Sequence, residues 1–163
     1  MEINRYVLSI LVDNEPGVLS RIAGLFSGRG FNIDSLSVAS TIDPDISRIT
    51  MVTNCDTHII EQIKKQLNKL INVITVNDLT EEKFVERQLA LVKVHAKPEK
   101  RAEILRITDI FRSKIVDVGH NHYIVEISGN MGKLEAFISL LKPMGIVEVA
   151  STGSIALARE KVK

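Results

Sequence analysis

The stretch YVLSILVDNEPGVLSRIAGLF, residues 6–26, decides how the chain is read. Tyr6, Leu8, Ile10 and Val12 alternate with Val7, Ser9 and Leu11, an apolar density that predicts a well-buried strand. Leu19, Ile22, Ala23 and Phe26 then recur at helical spacing and predict one apolar helix face. Between the two, DNEPG places Asp13, Asn14, Glu15, Pro16 and Gly17 in a strand-to-helix turn. Pro16 suits a first helical turn, where its missing N–H costs little. Gly28 and Gly30 are expected to end the helix, because glycine tolerates a left-handed C-terminal cap.

Working outward, Phe31 to Ala39 reads as a strand, Asp43 to Asp45 as a turn, and Ser47 to Thr53 as the next strand. Ile60, Ile63, Leu67 and Leu70 mark a second helix, and Val73 to Val76 a short closing strand. The order is βαββαβ, two helices layered on a four-stranded antiparallel sheet. Residues 79–86, LTEEKFVE, carry charge without a clear apolar period and are read as a linker between a domain at 1–78 and a second at 87–163.

The second half repeats the order. Leu89 to Ala96 is a strand, and Ile104, Ile107, Ile110 and Phe111 lie on a helix. Lys114 to Val118 and His122 to Ser128 form a hairpin around Gly119–Asn121. Leu134, Phe137, Ile138 and Leu141 form a helix ended by Pro143 and Gly145. Ile146 to Val149 is the last strand of the repeat, with Ser154 to Ala158 a candidate further strand. The expected fold class is therefore α+β, two ferredoxin-like βαββαβ domains. LFSGRGFNI resembles IFRSKIVDV, and RITMVTN resembles YIVEISGN, at equivalent places, which supports an internal duplication. The duplication is inexact: the second copy has HAKPEKRAE where the first has VDNEPGVLS, and nothing to match GFN at 30–32. A turn needed only to change direction should recur, so the difference favours a task specific to the first copy.

Composition narrows the task. With 21 Lys+Arg against 20 Asp+Glu, the formal net charge is +1, which makes no electrostatic case for nucleic acid or an anionic membrane. Aromatic content is 4%, and only Tyr123 sits on a central strand where an RNA-recognition module would stack bases. The sole cysteine, Cys55, precludes an internal disulfide and reads as a small, partly buried filler beside a strand end. His58, His95, His120 and His122 lack acidic or cysteine partners at ligand spacing, and no metal site is expected. No P-loop, nucleotide-binding glycine motif or nucleophile elbow is present. No catalytic residues are expected, and the absence of a leader-like N-terminus or a long apolar window makes the cytoplasm the expected location.

What remains is the turn. Amides at a helix N-terminus point outward unpaired and, with the helix dipole, favour a carboxylate. Gly17 allows close approach to the backbone, Pro16 stiffens the loop, and Asn14 offers a donor and an acceptor. Turn chemistry alone also accounts for Asn14 and Gly17 one by one, so pocket and punctuation both stand at this point.

D-N-E-P-G-V-L between strand and helix, followed by R-G-F-N-I, resembles an ACT domain, the small-molecule sensor of amino-acid biosynthesis. The longer run through DPDISRIT, VERQLALVKV, IFRSKIVDV and GKLEAFISLLKPMGIVEVASTG is similar to the regulatory small subunits of acetohydroxyacid (acetolactate) synthase over essentially the whole chain. That resemblance implies a homodimer formed through ACT domains, with a branched-chain amino acid (valine, or leucine or isoleucine) held between protomers. It implies that Asn14, Gly17 and Val18 come from one protomer while Asn32 and Ile33 come from the other. Pro16, Ser20 and Ala39 match positions nearby. It also implies a large catalytic subunit as partner, activated by this chain and inhibited through it by the end product. Thiamine diphosphate, Mg²⁺ and FAD would belong to that partner, with no cofactor in this chain. The alternative is an ACT-type sensor serving another enzyme.

Overall fold

The computed structural model describes residues 2–29 and 31–161. It divides into two compact units, Met1–Val85 with Ser154–Lys163, and Glu86–Gly153. In the first unit the elements are β1 (Asn4–Asp13), α1 (Val18–Ser27), β2 (Ser35–Ser40), β3 (Ile46–Cys55), α2 (Thr57–Asn68) and β4 (Val73–Asp78). The sheet order is β2-β3-β1-β4, all neighbours antiparallel. Tyr6, Leu8, Ile10 and Val12 face the helix layer and join Ile22, Phe26, Ile60, Ile63 and Leu67 in one buried cluster. The expected alternation therefore holds along β1, with period-2 placement assigning the core side.

The helix phase differs from the expectation. Val18, Ile22 and Phe26 are the buried residues of α1, whereas Leu19 is 42% exposed. Pro16 lies in the turn before the helix, and Gly17 is the N-cap with φ 86°, so α1 starts at Val18, two residues later than a Pro16 start requires, and Leu19 faces outward. Gly28 has φ −66° and is no left-handed cap; the helix closes through Arg29 and Phe31 amides donating to the Phe26 carbonyl at 3.1 and 3.3 Å. Gly30 lies outside the described residues. Phe31 to Asp34 run into β2 without being part of it, since ladder pairing with β3 begins at Ser35.

Asp56 caps α2, its carboxylate accepting from the Ile59 amide at 2.9 Å. Removing one N-cap acceptor leaves an amide unpaired, so Asp56→Ala is expected to destabilise the first unit by about 1 kcal/mol. A urea denaturation midpoint equal to that of the unaltered chain would contradict this.

The second unit contains most of β5 (Phe84–His95), α3 (Arg101–Ile110), β6 (Lys114–Val118), β7 (His122–Gly129), α4 (Met131–Leu141) and β8 (Ile146–Ser151). Its order β6-β7-β5-β8 is the first unit's order repeated. The register shift at Leu11/Val12 in β1 recurs at Lys93/Val94 in β5, which supports duplication down to a bulge. Ala90, Val92, Val94, Val125, Ile127, Leu134 and Phe137 build its separate core.

Residues 79–86 are structure, not slack chain. Leu79 is buried, and the Thr80 hydroxyl accepts from the Val7 amide at 3.0 Å. A last strand, β9 (Ile155–Ala158), pairs with β5, and the Arg159 amide donates to the Lys83 carbonyl at 2.8 Å. Ala156, Leu79 and the side of Phe84 cover Val7 and Val52, which point from the sheet face opposite the helices. The first unit therefore has a second, small core that draws on both 79–85 and the returning segment from Ser154.

Candidate functional site

The DNEPG turn is held from three directions. The Asn14 amide donates to the Asp45 carbonyl and its side-chain Nδ2 to the Pro44 carbonyl, both at 2.8 Å. The Asp13 amide donates to the Asn72 carbonyl at 2.9 Å. Buried Asn72 then accepts from Arg21 Nη1 at 2.6 Å and donates to Asp13 Oδ2 and Glu15 Oε2 at 3.3 and 3.4 Å. The loops at 13–17, 41–45 and 69–72 thus form one braced end of the sheet.

Against this bracing, the helix terminus itself is left open. No side chain caps α1. Among the described residues the Val18 amide has a long bond to the Glu15 carbonyl at 3.4 Å, and the Leu19 and Ser20 amides have no backbone partner outside α1. Gly17, Ser20 and Pro16 are exposed, and a Cβ built on Gly17 meets nothing within 4 Å. Gly17 is therefore required by its φ of 86°, not by crowding, and the space over its backbone is free for a ligand. Outward amides at a helix start suit a carboxylate.

The second unit closes the equivalent corner differently. There Pro98–Lys100 form a 3-10 turn, and Arg101 Nε and Nη2 donate to the carbonyls of Ala96 and His120 at 3.0 and 2.8 Å. A long side chain ties up that corner. The first unit keeps its corner accessible, in line with the sequence contrast.

Asn32 and Ile33 lie elsewhere. Asn32 is exposed; its Nδ2 donates to Asp34 Oδ1 at 2.8 Å, and its carbonyl accepts from Thr53 Oγ1 at 2.7 Å. Ile33 packs partly against the first core. Thr53 pairs with Tyr6, whereas the loop leaves β1 at Asp13, which pairs with Ile46. Seven residues of strand put these positions roughly 23 Å apart in one chain. Ala39, by contrast, sits near the end of β2 opposite Arg48, on the Asn14 side. A single chain thus brings Asn14, Gly17, Val18, Pro16, Ser20 and Ala39 to one end and leaves Asn32 and Ile33 at the other.

Comparison with known proteins decides the family. The family model for the AHAS small subunit-like ACT domain matches residues 8–75, and that for the small subunit of acetolactate synthase matches residues 87–160. A probable acetolactate synthase small subunit from Archaeoglobus fulgidus is 50% identical over 98% of this chain and 99% of its own. The chain belongs to the acetolactate synthase small-subunit family. The small subunit of isozyme 3 from Escherichia coli is 47% identical over 95% of this chain and 96% of its own. The crystal structure of the acetolactate synthase small subunit from Thermotoga maritima superposes with a TM-score of 0.88 at 42% identity, covering 98% of this chain and 99% of that one.

Three contributors carry little or no local signal in the sequence. Asn72 interrupts the apolar run LINVI, and that lone polar residue was its only signal. Arg48 donates to Ser9 Oγ at 2.6 Å on the sheet face opposite the helices, where Ser9 is buried. Ser35 accepts from the Ser154 amide at 2.8 Å, a contact spanning most of the sequence that no local pattern marks. Cys55 is buried, and burial followed by neighbouring Asp56 pushes its thiol pKa up, away from a reactive thiolate. Among the described residues no group of three or more His, Cys, Asp or Glu could hold a metal, and no helix is long and apolar enough to cross a membrane.

Proposed function

We propose that this chain is the regulatory subunit of an acetolactate synthase: it activates a separate catalytic subunit and conveys inhibition by valine, or by leucine or isoleucine. The observation that carries the reading is the separation of an open helix terminus at Gly17 from Asn32 at the far end of the same sheet. Two copies related by a two-fold axis resolve it. β2 is an edge strand, and antiparallel pairing of two such edges sets the Asn32 end of one chain against the Asn14–Gly17 end of the other.

In that arrangement the effector's carboxylate meets the open amides near Gly17 and Val18, and Asn32 of the other copy holds the ammonium end. Ile33 supplies an apolar wall. The bound ligand then stabilises one arrangement of the two ACT domains over another, which is what regulation at a distance requires. The chemistry belongs to the catalytic partner with its thiamine diphosphate, Mg²⁺ and FAD; this chain supplies no reacting group, and its place of action is the cytoplasm. The same site geometry would serve an ACT sensor of another enzyme, but matches along both halves of the chain favour acetolactate synthase.

Adding the chain to a purified thiamine-dependent, acetolactate-forming subunit tests this. The expected result is a higher rate, reduced by valine, with a coupling of about 5–150-fold between effector and activation. A rate indifferent to the chain, with and without each branched-chain amino acid, would overturn the assignment.

A further inference from the structure

β4 closes the first unit's sheet on the side away from β2, and among the described residues it pairs only with β1. At its start stand two apolar side chains that belong to none of the buried clusters. Ile71 in the α2–β4 loop is 93% exposed, and Ile74 is 48% exposed where the β1–β4 register shifts. Val73 and Val76 on the same strand pack against the first core, so the strand is fixed while Ile71 and Ile74 project from it. An apolar side chain held in water by ordered backbone gives up its hydration on docking without ordering a loop first.

We propose that this β4 edge, anchored by Ile71 and Ile74, is where the catalytic subunit docks, through an apolar patch of its own beside an exposed strand edge. The inference rests on the dimer reading above, and that reading also selects the occupant. A dimer closed through β2 leaves β4 at each outer end of the joined sheet. A further copy seated on β4 would repeat edge pairing without closure and grow an open ribbon. A closed dimer therefore keeps β4 for a different chain, and offers it twice.

The same corner connects to the effector loop. Ile71 directly precedes Asn72, whose carbonyl and side chain hold Asp13, Glu15 and Arg21. Two hydrogen-bonded residues thus separate the open amides at Gly17 from the docking anchor. A ligand that shifts the 13–17 loop pulls on Asn72, and Asn72 carries Ile71. This gives the coupling a continuous hydrogen-bonded route within one unit.

The test is association of the full-length chain with purified catalytic subunit, measured by biolayer interferometry. Ile71→Glu is expected to weaken it by about tenfold or more, as loss of an interface anchor does. Ile74→Thr, a substitution strands accept, is expected to weaken it in the same direction. Ile110→Glu, at an exposed position at the end of α3 in the second unit, serves as the control and is expected to associate normally. Valine binding by calorimetry and dimer mass by light scattering should be unchanged in all three. Normal association of both Ile71→Glu and Ile74→Thr would overturn the proposal. So would a fall in mass to the dimer from a larger assembly, which would make the occupant another copy. Failure of the unaltered chain to bind valine or to dimerise would instead sink the underlying reading.

Discussion

Ending the chain after Gly153 is expected to destabilise the first unit by about 2–3 kcal/mol, although the removed residues follow the whole second unit in sequence. The cut takes away Ala156 and with it much of the cover over Val7 and Val52, both fully buried. Leu79 loses the same neighbour. Two further ties go with it: the Arg159 amide to the Lys83 carbonyl at 2.8 Å, and the Ser154 amide to Ser35 Oγ at 2.8 Å. On a domain of this size the loss lowers the midpoint of thermal unfolding by roughly 10 °C. The second unit keeps its own helix-covered core and should unfold as before. Hydrogen exchange separates the two units: faster exchange in β1, β3 and the start of β5 that β9 pairs, with β7 amides and those of β5 from Gln88 onward unaffected, is the expected pattern. An unchanged midpoint would show that the returning strand is ornament. A fragment ending near Thr80 loses Phe84 as well, so its failure to bind an effector would speak first of its fold.

Gly17→Ala is the second large effect, and it acts through two separable routes. The native φ of 86° is left-handed, and an L-residue there costs about 1–2 kcal/mol. No atom lies within 4 Å of the added Cβ in the free chain, so the fold absorbs the change as backbone strain without collision. A ligand carboxylate against the Gly17 and Val18 amides would meet that Cβ directly. Valine affinity is therefore expected to fall by about tenfold or more, beyond anything the modest loss of stability explains. Calorimetry at a temperature where the variant is fully folded reads the difference. Undiminished affinity would move the effector away from this helix start. Asn14→Ala is a poorer probe, because Asn14 Nδ2 braces the Pro44 carbonyl and its loss loosens the turn itself. Asn32→Ala is cleaner: the residue is exposed and its carbonyl contact to Thr53 survives the substitution.

Much of this was legible in the residues. Alternation in β1 and helical spacing in α2 reported a buried face, because burial on one side is the only thing those periods encode. The repeat was visible because both copies bury the same pattern. The phase of α1 was not, since Val18 and Leu19 are both apolar and the start of the helix is fixed by the backbone at Gly17. The strand at 154–158 was legible as a candidate, but what it covers was not: it packs through a single Ala156, and its target lies at β1 and β3, far away in sequence. Asn72 works through its carbonyl and amide toward three partners, a role that side-chain type alone does not announce. The candidate site was half legible: DNEPG and GFNI were both picked out, but their separation to opposite ends of β1 follows only from strand register.

That separation makes the central claim testable by complementation. Gly17→Ala and Asn32→Ala chains, each expected to bind valine weakly alone, can be co-expressed with different tags and purified as the mixed dimer. If each site takes Gly17 from one chain and Asn32 from the other, the mixed dimer holds one intact site and one doubly altered site. Calorimetry should then recover valine binding at the unaltered affinity with about half the capacity of the unaltered dimer. A site contained within one chain would leave every site in the mixed dimer damaged, and the absence of any high-affinity binding would contradict the account.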